Sequence, residues 1–192
     1  MANVDRVNGA RPVKHLDGSP YNGAANLYYI PSSDGTATFI GDFVKSNGTG
    51  HTDGTPGCIQ AAATDAALLG VVVGFPAQAG YTADSLIYRA ASTGRYVLVA
   101  DAPDLVFEIQ EDSVGGALAI TDVMRNADIT VAAGSTSTGT SGMEIDSSDI
   151  KDATAQLRLL GPVLRADNEI GTNCKWLVVI NEHTFKTTTG VT

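Results

Sequence analysis

No apolar run in this chain extends into a long amphipathic helix; each is stopped within a few residues by Gly, Pro, Asn, Asp or Ser. That punctuation leaves short strands as the only regular structure the sequence can build in quantity, and predicts an all-β fold. Residues 27–30 (Leu-Tyr-Tyr-Ile) end at Pro31 and the turn sequence Ser32-Ser33-Asp34-Gly35. Residues 38–40 and 41–45 follow, then a loop over 46–57 rich in Gly, Thr, Asn and Asp. Further strands are expected at 59–62, 68–75, 85–91, 95–100 and 105–110, with Ser92-Thr93-Gly94 as a hairpin-like turn between two of them. In the last of these, Phe107 and Ile109 fall on one face and Glu108 and Gln110 on the other. A final clear strand covers 176–180.

Between these runs the sequence is less decisive. Residues 134–142 read Gly-Ser-Thr-Ser-Thr-Gly-Thr-Ser-Gly, with no apolar side chain beyond threonine methyls, and are expected to form a surface loop. Ser148-Asp149 is placed to cap a short helix carrying Ile150, Ala153, Thr154 and Leu157; a turn leading into a strand over 157–164 competes with it. Residues 1–25 hold Gly9, Pro12, Gly18, Pro20 and Gly23 and little periodicity, and read as an extended arm outside the core. Ordering such an arm on its own body gains little, so a neighbouring subunit is its natural resting place. The organisation expected is therefore an arm over 1–25, a β-rich body over 26–181 and a polar tail over 182–192. The body is a compact sandwich or barrel, with 192 residues allowing two small barrel units.

Charge narrows the partners. Only 17% of residues are charged, and 21 acidic against 12 basic residues leave a net charge of −9. A low charge content suits a chain that gives surface to other subunits. The basic residues are scattered, the nearest to a cluster being Arg158 with Arg165, so nucleic acid is not an expected partner. The most apolar run, 66–77, is broken by Gly70, Gly74 and Pro76 and is too short for a membrane span. The polar start of the sequence lacks a signal-peptide pattern, and Cys58 and Cys174 read as buried thiols of a protein made in a cytoplasm, although a bridge between them stays open.

Sites for chemistry are sparse. His15, His51 and His183 stand apart, with no metal-ligand spacing, and no cofactor is expected. No Gly-x-Ser-x-Gly elbow marks a serine nucleophile. Gly48 to Gly54 lacks the lysine and hydroxyl of a phosphate loop, and Asp146, Asp149 and Asp152 lack the alternate spacing of a calcium loop. The chain reads as a non-enzyme.

Three stretches in order resemble a known family. They are Gly41-Asp42-Phe43-Val44 followed by Leu69-Gly70-Val71-Val72-Val73-Gly74; Arg95 to Asp104 leading into Phe107 to Asp112; and Leu157 to Gly161, Asn168-Glu169 and Lys175 to His183. From about Tyr28 onward the chain resembles the small cement, or head-decoration, proteins of tailed-bacteriophage capsids. That resemblance implies a β-barrel or sandwich on the capsid exterior, a homotrimer or dimer, binding across major capsid protein subunits and stabilising the shell. Glu182, His183 and Lys186, set by the strand before them, are the expected capsid or subunit contacts. A phage tail or receptor-binding β-module is the alternative reading, and a small β-barrel hydrolase a second.

Overall fold

In the computed structural model, residues 3–78, 87–151 and 153–186 are described. The fold is all-β, with eleven strands: β1 Arg11–His15, β2 Asn26–Ile30, β3 Phe43–Gly50, β4 Pro56–Gln60, β5 Gly70–Gly74, β6 Arg95–Ala100, β7 Leu105–Gln110, β8 Asn126–Thr130, β9 Glu144–Lys151, β10 Leu157–Pro162 and β11 Lys175–Ile180. Strands β2 to β6 close a five-stranded barrel in the order β2-β4-β3-β5-β6. The other six form one sheet in the order β1-β7-β11-β10-β8-β9. That sheet rolls back on itself where Asp112 N–H donates to the carbonyl of Ile145 at 3.0 Å.

One alternation joins the two units. Tyr28, Ile30, Val44, Cys58, Leu69, Val72, Val97 and Val99 fill the barrel. Their neighbours Phe43, Leu68, Val71 and Ala100 point out of it and pack with Phe107, Ile109, Leu157, Leu159, Trp176 and Val178 of the six-stranded sheet. A strand buried on both faces has no place for alternating polar residues, which is why 68–73 is apolar without interruption. Cys58 lies in the barrel core and Cys174 in the sheet core, and both thiols are free. The question of a bridge is thereby closed, and burial pushes the Cys58 thiol up to about 12.

Hydrogen bonds reinforce the shared core. Buried Gln156 donates from Nε2 to the carbonyls of Ala62 (2.9 Å) and Asp65 (3.0 Å) in the barrel. Its Oε1 accepts from Ile129 N–H of β8. In the barrel, Asp42 accepts from Phe39 N–H and Gln60 Nε2, each at 2.8 Å, holding the turn that enters β3. Asp101 accepts from the Tyr28 hydroxyl at 2.6 Å and from Asn26.

Several local expectations are corrected. The loop expected over 46–57 is a long hairpin, because β3 continues to Gly50 and β4 starts at Pro56. No capped helix forms at 148–151: Glu144–Lys151 is the strand β9, paired with β8, while the competing strand from 157 is present as β10, ending at Pro162. Residues 87–91 form no strand; Arg89 makes only a bridge to Thr38, and 85–86 lie outside the described residues.

The Ser/Thr/Gly stretch 134–142 is not a free surface loop. Ile40 N–H donates to Gly139 and Ser141 N–H donates to Ile40, which lays the loop against the barrel. Gly134 sits so close to the Phe39 ring that a Cβ there would be 2.4 Å from it. The loop packs through backbone and missing side chains, which an apolar count does not register.

The largest correction concerns 1–25. Instead of extending away, residues 11–15 form β1 and pair antiparallel with β7, Arg11 opposite Glu108. Ala10 is buried in the sheet core. The edge of β7 is thereby paired, and all six of its residues, Glu108 and Gln110 included, are buried.

Candidate interaction surface

The segment that covers β7 also gathers charge. Glu108, nearly buried on β7, is approached by Arg165 Nη1 at 3.0 Å from both its oxygens, by Arg11 Nη2 at 3.4 Å and by Lys175 Nζ at 3.9 Å. Two residues along the same strand, Gln110 accepts from Arg6 N–H at 3.0 Å and donates to Asp5 at 2.9 Å and Glu144 at 3.2 Å. Farther toward the N-terminus, Asn3 donates to the carbonyls of Glu169 and Thr172 and accepts from Glu169 N–H. Asn168 braces the same β10–β11 connection, donating to Val163 and Lys175 carbonyls and accepting from Lys175 N–H.

Arg6, Arg11, Arg165 and Lys175 are thus held on one face, around a single buried carboxylate. Three large apolar side chains stand out beside them: Leu164 is 93% exposed, Val4 61% and Ile170 53%. Sequence reasoning missed this face because its cations are spread from position 6 to 175. Arg158, singled out with Arg165, instead donates to Asn126 across β8.

The three expected contact residues divide. His183 is 1% exposed, so it is a buried residue of its own chain, not a surface contact. Around it, Leu68 N–H donates to the Glu182 carbonyl at 2.8 Å and Thr184 N–H donates to the Leu68 carbonyl at 2.9 Å, so the tail clamps barrel to sheet. The His183 Nδ1 accepts from Phe185 N–H at 3.1 Å. Glu182 is half-buried and its carboxyl is pushed up by burial and by Asp128. Lys186 is exposed. The rest of the tail, from 187, lies outside the described residues.

A second cluster sits on the β3–β4 hairpin. His51 Nδ1 lies 3.0 Å from Asp53 and 3.1 Å from the Tyr96 hydroxyl, which also donates to Asp53. The Tyr29 ring packs on His51 at 4.1 Å. Among the described residues no serine, threonine or cysteine hydrogen-bonds this ring; the hydroxyl it meets is that of Tyr96. No group of three or more His, Cys, Asp and Glu is placed to hold a metal among the described residues. Among them, too, no helix is long and apolar enough to cross a membrane.

Buried His183 and half-buried Glu144 give the fold opposing pH dependences. Burial, with Lys186 adding and Asp101 opposing, pushes His183 down to about 4 from 6.5. The unfolded chain takes up that proton first, so the stability of the neutral ring is lost as pH falls from 6.5 through about 4. Burial pushes Glu144 up to about 7 from 4.5, against the Gln110 amide and with Asp5, Asp112 and Glu111 adding. Here the fold holds the proton longer, so stability is lost as pH rises from 4.5 through about 7. Glu144→Gln is expected to stabilise the protein by about 1 kcal/mol at high pH, after allowance for partial solvent screening, and to change little below the carboxylate range. His183→Gln should flatten the acid limb by a similar amount. Urea midpoints across this pH range provide the check; a Glu144→Gln effect that does not vary with pH refutes the assignment.

Set against protein-family models, curated proteins and solved structures, the chain has no match in any of the three.

Proposed function

We propose that this chain is a structural protein whose task is to bind other protein surfaces. More particularly, it is a decoration protein on the exterior of a tailed-bacteriophage capsid, made in the host cytoplasm. There it would bind across major capsid protein subunits, as a homotrimer or dimer, and stabilise the shell without a cofactor. The observation that carries this reading is the face where Val4, Leu164 and Ile170 stand exposed around Arg6, Arg11, Arg165 and Lys175. The resemblance of three ordered stretches to the cement proteins supplies the setting. A rigid β body suits the task because weak contacts repeated over many copies on one shell act together.

Particles lacking the protein are expected to assemble but to release DNA at lower temperature and under milder osmotic shock than complete particles. Restoring the purified protein should reverse the difference. Coincident release curves would remove the decoration reading.

A further inference from the structure

Three depressions follow one another along the N-terminal segment. The largest, about 440 Å³, is mainly apolar, with Pro12, Tyr21, Ile40, Val72 and Val73 in its walls, and opens between barrel and sheet. It meets a polar depression of about 60 Å³ at Asn8 and Arg11, whose floor includes Glu108 and Gln110. That one in turn meets a third, of about 220 Å³, at Arg6 and Lys175, reaching Arg165 and Asn173. The shared residues make the three a single track, apolar at one end and cationic along the rest.

The charge balance of the track is opposite to that of the chain. Arg11 is 70% exposed and reaches Glu108 only at 3.4 Å, a carboxylate already shared with Arg165 and Lys175. Arg165 also meets Asp167, itself 74% exposed. Asp5 and Glu144 face the Gln110 amide, and the Arg6 side chain is exposed without an ion pair among the described residues. Arg6, Arg11, Lys175 and Arg165 therefore line the polar stretch with two carboxylates, Glu108 and Asp167, with Asp5 and Glu144 set behind the Gln110 amide, in a protein of net charge −9.

We infer that this track receives an extended segment of a partner protein, with one large apolar side chain followed by several acidic ones. The apolar side chain fills the depression beside Ile40 and Tyr21, and the carboxylates lie along Arg11, Arg6, Lys175 and Arg165. Small depressions in a row suit side chains of an extended chain better than the face of a helix. Charge complementarity selects this occupant: cations sharing too few carboxylates are satisfied by those of a partner, and like charge rejects a basic segment. The inference rests on the reading that the chain binds protein surfaces. It does not depend on the capsid setting, which the DNA-release experiment tests separately.

The test is fluorescence anisotropy of a labelled peptide carrying one leucine followed by a run of glutamates, titrated with the full-length protein. Binding is expected at low salt and is expected to weaken as salt rises. Replacing the glutamates by glutamines, or Arg6→Glu in the protein, should each weaken it by about tenfold or more. Ile40→Asp should weaken it comparably through the apolar end. Both protein positions are exposed, and unchanged circular dichroism will show that the variants fold. Absent binding, or equal affinity for the glutamine peptide or for Arg6→Glu, overturns the inference. So does a fall in the mass of the free protein on Arg6→Glu by light scattering, which would assign the track to a second copy of this chain.

Discussion

Replacing Arg89 by leucine is expected to cost about 3–5 kcal/mol, a large part of the stability of a domain this size. Arg89 is fully buried. Its guanidinium donates to the carbonyls of Pro31 and Asp34 at 2.8 Å, to that of Thr93 at 2.7 Å and to that of Thr36, and it pairs with the Asp34 carboxylate at 3.0 Å. These acceptors come from two loops, around 31–36 and at 93, and the one guanidinium joins them. Leucine would take this donor from the Thr36 and Thr93 carbonyls and leave the Asp34 charge, 13% exposed, without the guanidinium as counter-ion, while the Asp34 and Pro31 carbonyls keep Ser92 N–H and Asp34 N–H. Lysine keeps the charge but lacks the planar fork, and should recover only part of the loss. Urea unfolding monitored at Trp176 measures both variants. A leucine variant within about 1 kcal/mol of the wild type would mean that water satisfies these groups and that the loops are not organised by the guanidinium.

Removing residues 1–15 is expected to have an effect as large. The deletion takes away β1, the buried Ala10, the Arg11 contact to Glu108 and the ties of Asn3, Asp5 and Arg6. It also bares the edge of β7, a strand with all six residues buried, which invites pairing with another chain. A loss above about 3 kcal/mol is expected, with concentration-dependent association of the shortened chain. Gly9→Ala probes the same contact with one atom. Gly9 has φ +68° and a Cβ there would lie 2.5 Å from the Gly41 carbonyl oxygen, so alanine must push the segment off. If the deletion melts like the full chain and stays unassociated, the segment contributes nothing to its own body, and the picture of an arm for a neighbour returns.

The sequence reading of particular strands succeeded where the apolar runs are densest. Arg95–Ala100 and Leu105–Gln110 were legible to the residue, and Lys175–Ile180 to within one, because dense β-branched and aromatic runs leave no competing structure. Strand β9, Glu-Ile-Asp-Ser-Ser-Asp-Ile-Lys, was not legible, since polar residues with cap chemistry become a strand there only through pairing with β8. Strand β1 was hidden for the same reason: Arg-Pro-Val-Lys-His has little strand character until β7 arrives beside it. The candidate surface lay beyond reach for a different cause. Its cations come from β1, β11 and two connections, and only topology brings them together.

That topology also sets an order of events during synthesis. The barrel, β2 to β6, lies in sequence between β1 and β7, which belong to the other sheet. Arg11 and Glu108 are 97 residues apart, so the first strand leaves the ribosome long before its partner exists. At about 5–20 residues per second the wait is roughly 5–20 s, ample time for the barrel to form. A nascent chain therefore presents a finished barrel with an unpaired basic strand ahead of it, and a strand made before the barrel is placed after it.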